Sequence, residues 1–405
     1  MPLQYYILFI VLVAIAIHLY LRAKYGFWYY QPVVHSYDLI RMLSSPCIIA
    51  PELPRPTRYL QRNPEVLRVY LSEAIPARER EYFMSLIRGH YLRNGDNVYE
   101  PAADNVWPHF AGHNHPCYIS FYYEPAHYIA SGGSDLIKDA RPIGTMTTRP
   151  LTVAFSDNSL TIPIYYVEFL CVHSDHRRRG IAPQLIQTHE HHQRHANKQI
   201  AVSLFKHEDK LLQGIVPLVV YTTYGFPITR WETPRIIPPY KMSAVTKRNM
   251  PNLVDFMSQC RPQWRVFVEP ATANLLALME SANLFIHVMQ HLNATTAHKI
   301  VAAYFYRNSC VRLEAGQEPI LSLVASLRCA TIGDDLFVDG FKSSFGAIAK
   351  RHGFGFCSIE NIAANGTIIV ALREKIEPTV RSPCAYFFYN YIYPTVASDQ
   401  IFIIC

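Results

Sequence analysis

The longest apolar run, residues 3–21, contains Ile7-Leu8-Phe9-Ile10-Val11-Leu12-Val13-Ala14-Ile15-Ala16-Ile17 without a charge. It has about the 20 residues that cross a bilayer, with Tyr5, Tyr6 and Tyr20 near its ends, where rings favour the interface. No basic segment precedes it and no small-residue cleavage site follows, which disfavours a cleaved signal peptide. Arg22 and Lys24 come next, and the positive-inside rule puts the remaining chain on the cytosolic side.

Residues 25–34 are too aromatic and proline-marked for a helix and read as an extended arm. Pro46, Pro51, Pro54 and Pro56 mark an irregular connection. From Pro64 the spacing of Val66, Leu67, Tyr70, Leu71 and Ala74 predicts a helix, and residues 81–92 predict a second. Strand patterns follow at 117–123, 143–148, 151–155 and 163–172, then a helix from Pro183 to about Ala196 and a strand at 216–222. Pro227, Pro234, Pro238 and Pro239 mark a boundary. Beyond it the order recurs: helices at 252–258 and 270–280, strands at 285–288, 300–306 and 320–325, a helix over 342–351, and strands at 354–359 and 386–405. The pattern predicts an α+β protein with an anchor (1–24), an arm and linker (25–60) and two similar modules (61–238 and 239–405).

A chain of 405 residues, half of them hydrophobic, can bury one large core or two ordinary domains. The net charge of +7 is spread out, which suits an anionic ligand or a membrane surface. No Lys/Arg tract is dense enough for nucleic acid. Nine cysteines with no CxxC pair point to reduced thiols in the cytosol rather than a disulfide framework.

The candidate chemistry centres on residues 167–186, an apolar strand, a basic turn and a helix that starts with a proline. Unpaired N–H groups, arginines and the positive end of a helix dipole there form a cradle for one anion, such as a pyrophosphate. The spacing Arg177-x-x-Gly180-x-Ala182 resembles the Arg/Gln-x-x-Gly-x-Gly/Ala loop with which GNAT-type acyltransferases hold coenzyme A. His109, His113 and His115 have no Cys or acidic residue at ligand spacing, so no metal is expected there. His189 and His192 share a helix face that reads as solvated.

Several separated blocks resemble the glycylpeptide N-tetradecanoyltransferases (N-myristoyltransferases). Phe27-Trp28-x-x-Gln31-Pro32-Val33 is similar to the family's Phe-Trp-Asp-Thr-Gln-Pro-Val arm. Phe169-Leu170-Cys171-Val172-His173 with Ala182-Pro183-x-Leu185-Ile186 is similar to Phe-Leu-Cys-Val-His…Ala-Pro-Val-Leu-Ile. Arg248-Asn249-Met250, Ala302-Ala303-Tyr304 with Tyr306, and Tyr389-Asn390-Tyr391 with Pro394 match further blocks in the same order.

The resemblance implies transfer of a tetradecanoyl group from tetradecanoyl-CoA, a co-substrate rather than a resident cofactor, to the N-terminal glycine amine of a protein or peptide. It implies an oxyanion hole from the amides of Phe169 and Leu170, a base in the main-chain carboxylate of Cys405, and help from Thr222. It assigns coenzyme A to Gly26, Phe27, Trp28, Cys171, Val172, Arg178, Gly180, Ile181 and Ala182, and the peptide to Tyr91, Asp96 and Tyr99. Three departures stand out. Arg93-Asn94-Gly95-Asp96 replaces a run of acids, Glu168 stands where the family has Asn beside the oxyanion hole, and the tail after Pro394 is one residue shorter.

Overall fold

The computed structural model describes residues 3–92, 98–124, 127–130, 136–139, 141–157, 159–209, 211–228, 231–293, 300–313 and 318–405. The expected turn at 94–97, with Asp96, lies outside them. Helix α1 (Leu3–Tyr25) buries none of its residues and is long and apolar enough to cross a membrane. A short α2 (Leu39–Met42) follows the arm.

The first half continues with β1 (Leu67–Leu71), α3 (Ala77–His90), β2 (Tyr118–Tyr123), β3 (Pro142–Phe155), β4 (Leu160–Val172), α4 (Ile181–Ala196), β5 (Ser203–Glu208) and β6 (Val219–Pro227). The second half contains β7 (Tyr240–Ala244), α5 (Met250–Cys260), β8 (Val266–Glu269), α6 (Thr272–Glu280), β9 (Leu284–His291), β10 (Ile300–Asn308) and β11 (Ile320–Arg328). It ends with α7 (Asp334–His352), β12 (Phe356–Glu360), α8 (Asn365–Arg373), β13 (Val380–Tyr389) and β14 (Ile401–Ile403).

These fourteen strands form one sheet. Its order is β7-β9-β10-β11-β12-β6-β13-β5-β4-β3. The first part of β3 pairs with β2, which pairs with β1, and its last part pairs with β8, which carries β14. Each half contains one strand–helix–strand crossover that makes a parallel pair, β4 with β5 and β11 with β12. The halves also exchange strands. β6 lies against β12 and β13 lies against β5, so each half completes the other's sheet. The proline cluster separates β6 from β7 along the chain, whereas in the sheet β6 sits beside strands of the second half.

Several local expectations change. The arm is not extended throughout, since Trp28–Tyr30 form a helical turn, and the strand expected at 386–405 is broken, β13 ending at Tyr389 and β14 starting at Ile401. Residues 67–71, expected in a helix, form a strand, because Leu67 and Val69 pack under α4 while Tyr70 packs with Phe83 and Phe121 on the opposite face. That is a period of two, fixed by pairing with β2. The two strands expected at 143–148 and 151–155 are one, running through Pro150. Pairing with β2 ends at Thr148 and pairing with β8 begins at Thr152, so proline's missing N–H falls where no strand needs it. Of the two histidines expected on a solvated face of α4, His192 is exposed but His189 is buried: its ring bonds Ser120 at 2.7 Å and Thr148 at 2.8 Å, and burial lowers its pKa to about 3.

Several family-like blocks hold this architecture together. Tyr304 donates to the Phe337 carbonyl and Tyr306 bonds Ser344, seating α7 on the sheet. The buried Asn390 amide donates to the carbonyls of Ala50 and Ala201 and accepts from Ala50 N, tying the linker to the body.

Candidate active site

The site forms where β4 and β5 part. Their parallel pairing runs from Tyr165↔Ser203 to Val167↔Phe205 and stops, leaving Glu168–Val172 and Lys206–Asp209 facing an opening. At the same level the pairing of β4 with β3 is interrupted. Thr145 pairs with Cys171 and Thr147 with Glu168, so Phe169 and Leu170 together oppose Met146. Phe169 has φ +50°, and the Glu168 carbonyl is held by the Thr147 hydroxyl at 2.8 Å. Such a bulge leaves an extra residue outside the regular ladder, beside the opening that β5 leaves, where a backbone N–H can serve an anion.

A cavity of about 1200 Å³ runs through this opening. Its lining draws on two apolar clusters, which we take as its two limbs: Trp28 stacks on Phe205, which stacks on Phe387, with Phe27, Ala182 and Pro183 also lining the cavity, and Tyr91, Tyr99, Cys310 and Val311 belong to the other cluster. Of the residues expected from the sequence, the cavity brings together Phe27, Trp28, Tyr91, Tyr99, Phe169, Leu170, Cys171, Val172 and Ala182. Gly26, Arg178, Gly180, Ile181, Thr222 and Cys405 are not among its lining residues.

Each of these six has a definite place. Arg178 and Gly180 sit in the exposed turn before α4, at φ +65° and +76°, and Ile181 packs into the apolar cluster with Leu67 and Ile143. Gly26, at φ +52°, turns the chain between α1 and the arm. Thr222 faces away from the cavity, since side chains alternate along β6, and Thr223 lines it instead. Cys405 lies just behind the wall: Arg307, a lining residue, donates to its carbonyl oxygen at 3.1 Å.

The buried end of the chain explains that placement. β14 pairs in parallel with β8 and is an outer strand of the sheet, yet Ile401, Phe402, Ile403 and Ile404 are all buried. Phe402 stacks on Phe267, which draws the last residues between the two halves.

A charged network, not singled out from the sequence, surrounds this point. Lys206 bridges Glu208 at 2.7 Å and Glu360 at 3.2 Å, Arg307 reaches Glu360 at 3.7 Å, and Tyr221 donates to Glu360 at 2.5 Å. Burial opposes the Lys206 charge, but Glu208 and Glu360 outweigh it and hold the ammonium above the ordinary lysine range. The available signal was charge inside apolar strands: Lys206 and Glu208 on alternate positions, Arg307 at the end of an aromatic run, Glu360 after Ile359.

Glu168 is the second charged centre. Arg149, fully buried, donates to its carboxylate at 3.1 Å, and His109 lies at 3.6 Å. Burial raises the carboxyl pKa, and the positive groups around it more than reverse that, so Glu168 titrates below the usual range. His109 is itself driven down to about 4 by burial, so at neutral pH the cations holding Glu168 are Arg149 and Arg307.

The cavity cysteines are poor nucleophiles. Burial pushes Cys171 and Cys310 to about 12 and Cys384 to about 11, which argues against an acyl group carried on sulfur. Among the described residues no cluster of three or more His, Cys, Asp or Glu could hold a metal ion.

Glu190 of α4 lines the same cavity and a smaller one of about 580 Å³ beside the arm. Burial raises its pKa to about 7 despite Arg194 at 3.7 Å. An acid raised in the folded state destabilises the fold as pH rises from its unfolded pKa to its folded one. From pH 5 to 8 the protein should lose up to about 3 kcal/mol relative to its E190Q variant. Urea unfolding of both proteins across that range checks this, and parallel curves would refute it.

The model of the acetyltransferase (GNAT) family matches residues 97–210, which contain the bulge, the basic turn and α4. No curated protein sequence matches the chain. Among solved structures, Saccharomyces cerevisiae N-myristoyltransferase with bound myristoyl-CoA superposes with TM-scores of 0.66 and 0.67, each at 11% identity. The first comparison covers 92% of this chain and 94% of the other, the second 92% and 90%. The same yeast enzyme with myristoyl-CoA and inhibitors gives 0.68, again at 11% identity, over 92% of both chains. The split between β4 and β5 and the bulge at Phe169–Leu170 therefore sit in the GNAT-matched segment, and the chain as a whole, with its buried end, has a fold similar to that of the yeast N-myristoyltransferase.

Proposed function

We propose that the protein is a membrane-anchored acyltransferase that moves a tetradecanoyl group from coenzyme A to the N-terminal glycine amine of a protein or peptide. One observation carries this reading: the irregularity at Phe169–Leu170 lines the same cavity as the Arg307 that holds the Cys405 main chain. The amine arrives as an ammonium. In a chain ending at Cys405, that carboxylate with Glu168, Glu208 and Glu360 makes four negative groups against Arg149, Arg307 and Lys206. The excess negative charge favours a cation in the peptide limb.

The Cys405 carboxylate takes the proton, and the free amine attacks the thioester carbon. Negative charge on the carbonyl oxygen is received by the N–H groups of Phe169 and Leu170. The C–S bond then breaks and the amide forms as the nitrogen gives up its second proton, which the departing sulfur takes to leave as coenzyme A thiol, while the proton held by the carboxylate passes to solvent. Gly26, Phe27, Trp28, Cys171, Val172 and Ala182 would hold the donor, with Arg178, Gly180 and Ile181 shaping the phosphate turn. Tyr91 and Tyr99, together with Asp96, would meet the peptide. Thr223 takes the positioning role first considered for Thr222. Helix α1 would anchor the body on the cytosolic face of a membrane.

The protein incubated with tetradecanoyl-CoA and Gly-starting peptides should yield acylated peptide and free coenzyme A in equal amounts. Neither product across a broad peptide panel would sink the proposal, and faster turnover with another acyl chain would replace the donor. The second outcome has a structural motive, since Glu190, Ser203 and Tyr389 place polar groups on the cavity wall.

A further inference from the structure

The end of α1 is fastened to the body by the aromatic arm. The Tyr29 hydroxyl and the His18 ring hydrogen-bond at 2.7 Å, Arg22 lies over the Tyr30 ring, and Tyr25 stacks on Tyr37 at 5.4 Å. Tyr25 also rests on Gly214, where a Cβ would collide with its ring. The body is thus held against the last turns of α1 rather than hung from a loose linker.

Two residues past Tyr37, α2 begins. Its apolar side chains are unpartnered: Leu39 is 66% exposed, Ile40 83% and Leu43 88%. The helix is nevertheless ordered, since Asp38 accepts from the backbone N–H of Arg41 and pairs with its guanidinium. An exposed apolar turn two residues past the Tyr37 that stacks on Tyr25 at the end of α1, in a stretch of chain that also carries Tyr20, Tyr29, Tyr30, Arg22 and Lys24, matches the composition of a membrane–water interface.

The location adds meaning. Phe27 and Trp28, immediately after α1, line the limb assigned above to coenzyme A, so that limb lies within a few residues of the bilayer surface. A long-chain acyl-CoA is an amphiphile that partitions into this layer.

We propose that α2 is a second membrane contact, inserting Leu39, Ile40 and Leu43 into the bilayer interface, and that with α1 it seats the donor limb where membrane-bound acyl-CoA is taken up. The uptake rests on the acyl-CoA reading above; the insertion does not.

The test uses the full chain in phosphatidylcholine vesicles with brominated acyl chains. The emission of an L43W variant should shift to the blue and be quenched by the brominated lipid well beyond the four native tryptophans. A V370W variant, on an equally unpartnered position of α8, serves as control. Quenching of L43W no greater than that of V370W overturns the insertion. For the uptake, L39S/I40S/L43S should lower apparent affinity for vesicle-presented tetradecanoyl-CoA roughly tenfold, and leave affinity in detergent solution unchanged. Equal affinities in vesicles, or equal losses in both settings, overturn it. Both readouts are spectroscopy or binding, so failed peptide acylation would count against the proposed function alone.

Discussion

Turnover of an R149M variant should fall by about two orders of magnitude, with affinity for acyl-CoA little changed. Arg149 is the nearest cation to Glu168, whose carboxylate stands one residue before the oxyanion donors. With that partner gone, an ionised Glu168 beside a developing oxyanion costs about 3 kcal/mol for charges taken to be about 6 Å apart at an effective dielectric near 20, or about a hundredfold in rate. The same substitution leaves the buried carboxylate with only Arg307 as a cation, so stability should drop by about 3 kcal/mol. The double variant R149M/E168Q removes both charges and should recover most of each loss. Single-turnover rates and urea unfolding of the parent, single and double variants measure this. A double variant no better than R149M would show that Arg149 serves packing instead. The acid beside the bulge thus carries its own counter-charge.

The second large effect concerns the chain end. Adding one glycine after Cys405, or converting the terminus to an amide, should cut the rate of acyl transfer by about 10²–10⁴ if its carboxylate is the general base. Affinity for acyl-CoA should stay within about twofold, because the donor limb lies elsewhere in the cavity. A C405A variant separates main chain from side chain. It keeps the carboxylate and loses only the thiol, which sits 3.3 Å from the Tyr386 hydroxyl, so it should retain turnover. A C405A variant as slow as the extended chain, or an extended chain as fast as the parent, would remove the carboxylate from the mechanism.

Both effects turn on residues of unequal visibility. The block of residues 167–186 is continuous in sequence, so its apolar run, basic turn and helix start could be read directly, and they lie where the bulge and α4 form. Arg149, Lys206, Arg307 and Glu360 come from four different strands, and no spacing links them. Only the placing of β12 and β13 beside the first half brings them to one opening. Thr222 and Thr223 differ by one position, and strand alternation decides which enters the cavity; the periodicity of 216–222 does not fix that register. The helix expected at 66–74 failed for a related reason. Leu67, Tyr70 and Leu71 suit either a helix face or a strand, and pairing with β2 settled it.

By itself the sequence determined what local chemistry can specify: an apolar helix of membrane length, an aromatic arm, an α+β order repeated across a proline-rich boundary, and the strand–turn–helix at residues 167–186. These follow from hydrophobic periodicity and turn residues within short windows, where neighbours in sequence are neighbours in space. The tertiary structure alone decided that the two halves exchange strands in one sheet, that Glu168 is neutralised by a buried arginine, and that the last residue is held at the cavity wall. Those features depend on residues of different strands, 19 apart for Arg149 and Glu168 and 98 apart for Arg307 and Cys405, meeting in a desolvated interior. There a charge must find its partner, and the sheet order dictates which partner is in reach.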